Sequence, residues 1–203
     1  MKKSNIFTLV FAILIGLSTE GCSSSDDNEY QNNTPSNPVS IEGSGNNDVL
    51  AWSDEFDGDG SINNEFWNYE TGGGGWGNQE VQVYTTNSAN IVKENGILKI
   101  TAVKKSNGTY TSARITTQNK IDFKYARVDI RAKLPSKAGT WPALWMLGSN
   151  FSDSSVGWPK CGEIDIMEQK GWEKTKVLGT CHWSNNGNYA GYGSETTVNN
   201  ASG

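Results

Sequence analysis

Short segments that alternate apolar and polar residues, separated by clusters of glycine, asparagine and aspartate, constrain this chain most strongly. Residues 128–134 alternate Val, Ile, Ala and Leu with charged side chains, residues 98–102 repeat the pattern, and Val81 and Val83 alternate with polar neighbours. A side-chain period of two is that of a β-strand with one buried face. Since no helical apolar period follows the N-terminal apolar stretch, the sequence predicts an all-β fold.

Turn clusters separate these segments and set the expected architecture. They are Asp57–Gly60, Gly72–Gly75, Lys105–Gly108 and Ser184–Gly187. Many short strands at this spacing favour a sandwich or a barrel. The 203 residues leave room for one such domain plus appendages.

The N-terminus has the pattern of a lipoprotein signal peptide, predicted over residues 1–22. Lys2 and Lys3 precede an apolar stretch from Ile6 to Leu17, which is too short to anchor a mature protein. A small residue then precedes Cys22, the predicted lipidation site. Thr19 and Glu20 depart from the usual motif, so ordinary secretion is the alternative.

Residues 23–48, rich in Ser, Asn, Asp and Pro, predict a disordered tether, and residues 49–203 the folded domain. The net charge of −5, with no basic run beyond the N-terminus, gives no support for nucleic-acid binding. With lipid on Cys22, and a Ser/Asp run after it that resembles the surface-export tether of bacterial lipoproteins, we expect a monomer in the cell envelope, held to the outer membrane and exposed at the surface, or otherwise secreted.

Three carboxylates lie within six residues on the apolar segment Glu163–Glu168. On a strand, Glu163 and Asp165 share one face, whereas Ile164 and Ile166 face the core. Strict alternation would turn Glu168 into the core, but a one-residue β-bulge near Met167 brings all three acids to one face. The two glutamates could then approach the ~5–5.5 Å carboxyl separation of a retaining glycosidase.

Large aromatic residues surround these acids. Trp141 and Trp145 lie four residues apart, on one face of a predicted strand, and Trp158 comes shortly before Glu163. Tryptophans near paired acids suggest a groove in which sugar rings stack on indoles. Core packing of the tryptophans and a solvated acidic strand are the alternatives.

At these residues the chain resembles glycoside hydrolase family 16, whose bulged signature is Glu-x-Asp-x-x-Glu. Further segments look like family blocks in family order: Trp52–Phe56, Gly75–Glu80, Tyr110–Ile115 and Phe123–Val128. The resemblance covers roughly residues 50–203 and is strongest to the laminarinase-like branch. It implies a concanavalin A-like β-jelly roll whose concave sheet holds the substrate.

The resemblance also implies site roles. Glu163 would be the nucleophile, Glu168 the acid/base, and Asp165 would tune the proton between them. The residues expected to bind substrate are Asn78, Arg114, Trp141, Trp145, Trp158 and the single histidine, His182. A turn asparagine, a surface arginine and a structural histidine are the corresponding alternatives.

Catalysis of this kind needs no cofactor. The resemblance implies a structural calcium, for which Glu55 and Gly96 are the candidates in this chain. Cys161 and Cys181 fall on neighbouring predicted strands, which favours a disulfide, whereas strand parity argues against one, so both alternatives stay open. Residues 191–203 are polar and predict no closing strand, so we expect the domain to lack its last strands.

The sequence therefore predicts a retaining endo-β-glucan hydrolase that cleaves β-1,3 or mixed β-1,3/1,4 glucan such as laminarin. One alternative is a surface lipoprotein that binds glycan without cutting it. The other is a family 16 hydrolase of a galactan, of the agarase or carrageenase kind.

Overall fold

A computed structural model describes residues 50–198 in full and, for two N-terminal strands at residues 7–15 and 39–42, the backbone alone. Within these ranges only one four-residue helix interrupts the strands, which confirms the all-β prediction. The elements are β1 (Phe7–Ile15), β2 (Val39–Glu42), β3 (Asn68–Glu70), β4 (Gln82–Tyr84), β5 (Ile91–Lys93), β6 (Leu98–Ile100), β7 (Val103–Lys104), β8 (Tyr110–Ser112), β9 (Arg114–Thr116), β10 (Ile121–Lys124), β11 (Thr140–Gly148), α1 (Gly157–Lys160), β12 (Glu163–Glu168), β13 (Lys176–Asn185) and β14 (Asn188–Thr197).

Nine of the described strands form one large sheet. Its main path runs β14-β13-β12-β11-β1-β10-β2, and β9 joins it by pairing with β1 and β3. Strands β4, β8 and β7 form a second sheet, and β5 and β6 form a third. The acidic strand β12 thus lies in the large sheet between β11 and β13.

The main core covers one face of the large sheet. Its buried members are Ile62, Trp67, Ile91, Ala113, Ile115, Ile121, Phe123 and Met146. Leu98 and Ile100 of β6 pack against this cluster, as do Ile164 and Ile166 of β12. The predicted inward face of β12 is therefore confirmed.

The opposite face of the sheet carries a second, aromatic cluster. Ala143 and Tyr84 are buried there, and Trp76, Trp141 and Trp145 pack against them. The prediction that Trp141 and Trp145 share one face of β11 is confirmed. We call this side of the sheet the cleft face.

Strand β4 faces the opposite way from what its valines suggest. Val81 and Val83 are 39% and 44% exposed, whereas Gln82 and Tyr84 are each 1% exposed. The reason is a buried polar cluster: Gln82 Nε2 and Tyr84 Oη each donate to Oε2 of Glu80, over 2.6 and 2.7 Å. Internal hydrogen bonds make this polar face the buried one.

The strand predicted over residues 128–134 is absent, although Val128 and Ile130 still pack against the main core. Strand β1 lies instead between β11 and the β9–β10 side of the sheet, antiparallel to all three. Alternation thus identified residues 128–134 as able to form a strand, but β1 occupies the position next to β11.

The polar C-terminal residues form a strand, where the sequence predicted none. Residues 188–197 form β14, which pairs with β13 over its whole length although its side chains are mostly exposed. The turn cluster is confirmed: Asn186 and Gly187 have positive φ at the hairpin tip, as a tight two-residue turn requires. Hydrogen bonding between the backbones, rather than an apolar face, therefore holds this edge strand.

The predicted disordered tether, residues 23–48, contains a short strand. Val39–Glu42, inside the predicted tether, form β2, parallel to β10, so disorder does not describe these four residues. Cys22 and the rest of the tether lie outside the described residues. Over the described part of the chain, no helix is long enough to span a membrane.

The two cysteines of the folded domain do not form a disulfide. Cys161 is a buried free thiol and Cys181 an exposed one.

Candidate active site

A β-bulge in β12 gathers the acidic side chains, as predicted. Trp145 pairs with Asp165 and Leu144 with Met167, so Ile166 is the extra residue opposite β11. Opposite β13, Asp165 pairs with Thr180 and Glu168 with Leu178, so Ile166 and Met167 together face the single residue Gly179. The bulge therefore lies at Ile166–Met167, and its unpaired residue next to β11 is Ile166 rather than Met167.

Glu163, Asp165 and His182 converge on the cleft face. One ligand atom from each lies within 4.8 Å of the others. Nε2 of His182 is 2.9 Å from Oδ2 of Asp165, and a hydrogen bond also joins the side chains of Asp165 and Glu163. Since two carboxyl groups hydrogen-bond only when one holds a proton, this pair is built to share one.

Burial and mutual repulsion perturb all three carboxyl groups. Burial, followed by the charge of Asp165, raises the pKa of Glu163 to about 7. Burial and the charge of Glu168 raise the pKa of Asp165 to about 7. Burial also raises the pKa of Glu168, against a hydrogen bond from Trp141. A protonated and an ionised carboxyl group thus coexist near neutral pH, as general acid catalysis beside a nucleophile requires.

The predicted tryptophans flank these acids. The indole N–H of Trp158, from α1, donates to Oε2 of Glu163 over 2.9 Å. Trp141 hydrogen-bonds Glu168 at the other end of the trio. Trp158 is 47% exposed, so one face of its ring stays open to the cleft. Both side chains therefore touch the acids as well as forming the aromatic wall that the sequence suggested.

The surface alternative for Arg114 is excluded, whereas its sugar-binding role stays a prediction. Its side chain is buried, not on the surface, and it forms an ion pair with Glu70 of β3. Its guanidinium carbon is 4.8 Å from the ring centroid of Trp76 and 4.9 Å from that of Trp145. At these distances the cation attracts both aromatic rings. Arg114 thus holds Trp76 and Trp145 of the cleft face in place.

Asn78 is exposed in the turn between Gly75 and Glu80. Its amide nitrogen is 3.5 Å from Oε1 of Glu80. This position fits both a turn asparagine and a sugar-binding asparagine.

Glu80 itself is buried. Burial raises the pKa of Glu80, even though Tyr84, Arg114, Asn78 and Gln82 all favour its ionised form. This buried acid was not expected from the sequence, because nothing in the pattern distinguished it from a surface glutamate.

The calcium candidates do not form a recognisable carboxylate cluster. Glu55 is exposed, and a Cβ on Gly96 would lie 3.9 Å from Oδ1 of Asp57. Among the described residues, the group of His, Cys, Asp and Glu side chains close enough to share an ion is Glu163, Asp165 and His182. Calcium at Glu55 and Gly96 stays a prediction.

Tyr189 is a site residue that the sequence interpretation missed. Its hydroxyl oxygen is 2.9 Å from Nδ1 of His182, and its ring stacks on Trp158 with centroids 5.5 Å apart. The signal was present in the Asn186-Gly187 turn. A two-residue turn there sets the register of the hairpin and makes Tyr189 a diagonal cross-strand neighbour of His182.

Comparison with known proteins places these features in a family. Residues 73–202 match the sequence profile described as "XgeA-like, catalytic GH16 domain". The chain is 48% identical over 136 residues to "Beta-glucanase" of Rhodothermus marinus, which covers 66% of this chain and 48% of that protein. It is 39% identical over 197 residues to "Glucan endo-1,3-beta-glucosidase A1" of Niallia circulans, covering 88% and 26%.

A solved structure confirms the fold. LamA_E269S from Z. galactanivorans, in complex with laminaritriose and laminaritetraose, is 41% identical with a TM-score of 0.68. The match covers 76% of this chain and 69% of that one. The predicted jelly-roll class is therefore confirmed. The chain spans about half or less of the length of the two curated relatives above.

Proposed function

Because this chain belongs to glycoside hydrolase family 16, we propose that it is a retaining endo-β-glucan hydrolase cleaving β-1,3 or mixed β-1,3/1,4 glucan. The observation that supports this most is the bulged strand β12, which brings three carboxyl groups with raised pKa values to one aromatic-lined face. A surface strand with solvated acids would have no reason to bury them.

In the proposed reaction, the Glu163 carboxylate attacks the anomeric carbon and Glu168 donates a proton to the leaving oxygen. A covalent glycosyl-enzyme forms, and Glu168 then takes a proton from the water that hydrolyses it. The anomeric configuration is retained because each of the two displacements inverts it.

The hydrogen bonds around the acids support this division of roles. The Trp158 indole N–H stabilises the ionised form of Glu163. The proton shared between Asp165 and Glu163 can move to Asp165 when Glu163 becomes the nucleophile. Asp165 is thus suited to hold that proton while the covalent bond exists.

The cleft wall suggests where sugar rings bind. Trp158 is half exposed beside Glu163, and Trp141 and Trp145 lie on the same face of β11. Arg114 is sandwiched between Trp76 and Trp145, so it holds these rings in place, and it stays among the proposed sugar-binding residues. Asn78 and His182 complete the proposed binding residues.

The substrate class rests on the relatives. The two curated proteins above are named as a β-glucanase and an endo-1,3-β-glucosidase, and the solved structure contains laminarin oligosaccharides. A surface glycan-binding lipoprotein is the second candidate, and a galactan hydrolase the third. The intact acid trio favours an enzyme over the binding protein.

The attachment to the membrane is a separate proposal. Cys22 would carry lipid and anchor the domain at the outer membrane through the segment before residue 50. Phase partitioning in detergent would test it: the Cys22→Ala protein should move to the aqueous phase, and retention in the detergent phase would overturn the anchor.

Hydrolysis of laminarin followed by proton NMR tests the proposed activity. The first-formed reducing ends should be β-anomers, and the Glu163→Gln protein should produce none. Early α-anomers would indicate inversion and overturn the two-glutamate mechanism. Laminarin binding without any release of reducing ends would favour the binding protein, whereas cleavage of agarose or carrageenan alone would favour the galactan hydrolase.

A further inference from the structure

The hairpin formed by β13 and β14 holds a hydrogen-bonded chain of side chains that ends at the acids. Oη of Tyr189 lies 2.9 Å from Nδ1 of His182, and Nε2 of the same ring lies 2.9 Å from Oδ2 of Asp165. Asp165 is in turn hydrogen-bonded to Glu163. Both nitrogens of the only histidine are therefore occupied.

A neutral imidazole has one N–H donor and one acceptor nitrogen. If Nε2–H donates to the Asp165 carboxylate, then Nδ1 must accept, and the Tyr189 hydroxyl supplies the donor. A residue with no hydroxyl at position 189 would leave the ring free to turn over and present Nδ1 to Asp165. Tyr189 thus contributes the second of two contacts that fix this ring.

A glycine makes room for this contact. Gly191 lies directly opposite His182 in the hairpin, and a Cβ at Gly191 would lie 2.6 Å from Oη of Tyr189. Any side chain there would push the hydroxyl away from the imidazole. The ring of Tyr189 also stacks on Trp158, which donates to Glu163.

We propose that Tyr189 is a positioning residue: through His182 it fixes the orientation of Asp165 beside Glu163, and Gly191 provides the space this requires. The inference rests on the proposed glucan hydrolysis for its kinetic consequence, but not for its structural one. Losing one neutral hydrogen bond should lower kcat about fivefold with KM nearly unchanged, because the stacked ring remains.

The first test is a double-mutant cycle on laminarin hydrolysis. Tyr189→Phe should lower kcat about fivefold in the parent and cause no further loss in a His182→Gln background, since it acts through that ring. Gly191→Ala should reproduce the Tyr189→Phe effect. Tyr192→Phe, a 74% exposed tyrosine on the same strand, is the matched control and should change nothing.

The second test does not depend on turnover. Because His182 is the only histidine, ¹⁵N-histidine labelling gives one pair of ring-nitrogen signals, measured on the neutral imidazole. Tyr189→Phe should move the Nδ1 signal towards that of a free acceptor nitrogen, and Tyr192→Phe should not. An unmoved signal, or additive kinetic losses in the cycle, would overturn the proposal. If the parent does not hydrolyse glucan, the proposed function is refuted, but the Nδ1 signal of His182 still tests whether Tyr189 holds this ring.

A second inference concerns the position of β1 in the large sheet. Strand β1 is antiparallel both to β11 and to β9 and β10, so β10 and β11 run in the same direction. The chain from Lys124 to Thr140 connects these two strands and is long enough to run back between them. Residues 126–134 are nine residues long, as is β1, and would enter this position in the same direction.

The sequence of residues 126–134 suits that position. Apolar Val128, Ile130, Ala132 and Leu134 alternate with charged residues, and Val128 and Ile130 already pack on the main core. Turn residues flank the segment, since Tyr125 and Gly139 both have positive φ. We infer that residues 126–134 and β1 compete for one strand position, and that loss of β1 lets residues 126–134 complete the sheet.

Amide hydrogen exchange in the unprocessed chain, which keeps residues 1–21, tests this competition. Val10→Pro with Ala12→Pro should disrupt β1, because proline cannot donate to a ladder. Residues 126–134 should then exchange at least tenfold more slowly, while β11 stays protected. Adding Ile130→Pro should abolish the new protection. Loss of protection in β11 without a gain at residues 126–134 would overturn the inference, as would unchanged exchange in both segments.

Discussion

The indole N–H of Trp158 donates a hydrogen bond to Oε2 of Glu163 over 2.9 Å. Trp158 comes from α1 and Glu163 begins β12, so the turn that joins these two elements sets the contact. Because the bond stabilises the ionised carboxylate, it opposes the burial that raises the pKa of Glu163 to about 7. The environment of this carboxylate thus balances proton retention against nucleophilicity.

We expect Trp158→Phe to shift the acidic limb of the kcat/KM profile to higher pH. Removing the indole donor raises the pKa of Glu163 further, so a larger fraction is protonated and inactive below neutrality. The shift should be about one pH unit or less, since Trp158 is half exposed. Trp172→Phe is the control, because Trp172 is 50% exposed and contacts Lys170 rather than the acids. An unshifted limb would show that the bond does not control Glu163.

The bulge at Ile166 leads to a prediction about chain length in β12. Deleting Ile166 leaves Glu163, Asp165 and Glu168 in simple alternation, with Met167 opposite Leu144 on the core side. We therefore expect the deletion variant to keep measurable turnover.

Inserting one glycine between Asp165 and Ile166 should instead abolish turnover. If the bulge persists, Glu168 turns into the core. If the bulge is lost, Ile166 faces the cleft and Glu168 moves two strand positions further from Asp165, about 7 Å. A glycine inserted between Ser152 and Asp153, in an exposed loop, is the control. Reducing-sugar release from laminarin measures each variant, and an active insertion variant would contradict this account.

Much of this site could be predicted from the sequence because local pattern determines it. Alternation in Glu163–Glu168 specified which side chains face the cleft, and the need to keep Glu168 there required a bulge. The exposure of Val81 and Val83 could not be predicted, since it depends on hydrogen bonds from Gln82 and Tyr84 to Glu80. Nor could the position of Arg114, since its partner Glu70 lies 44 residues away.

The pairing of strands shows the same limit. Residues 128–134 and β1 are both apolar segments of suitable length, and alternation alone does not decide which of them pairs with β11. Register over long sequence separations depends on the competition between such segments, which no local pattern records.

The two glutamates should be distinguishable by azide rescue. Glu163→Ala and Glu168→Ala should each lose about 10³-fold or more in rate, while retaining laminarin binding. Azide should then yield an α-glycosyl azide with Glu163→Ala, because it attacks once in place of the nucleophile. With Glu168→Ala, azide should attack the glycosyl-enzyme and yield the β-azide. Product NMR checks both configurations, and the reverse pair would mean that the two roles are exchanged.

Asp165→Asn should stabilise the protein, and increasingly so as pH rises. The pKa of Asp165 is about 7 in the folded protein, against about 3.9 for an unfolded aspartate. A folded-state pKa that is raised means that the native state holds the proton more tightly. The stability from this group is therefore fully present below about pH 4 and is lost as pH rises through about 7.

An asparagine at position 165 has no proton to lose, and its side-chain oxygen can still accept from Nε2 of His182. The difference in Tm between Asp165→Asn and the parent should thus be small at pH 4 and grow to roughly 10 °C at pH 8, since about three pKa units are about 4 kcal/mol and each kcal/mol shifts Tm by about 3 °C. Glu65→Gln, at an exposed position, should show no such growth. Thermal unfolding followed by circular dichroism across pH 4–8 measures both. A Tm difference that is constant, or that shrinks as pH rises, would mean that Asp165 is stabilised in its ionised form and that the proton of the acid trio resides elsewhere.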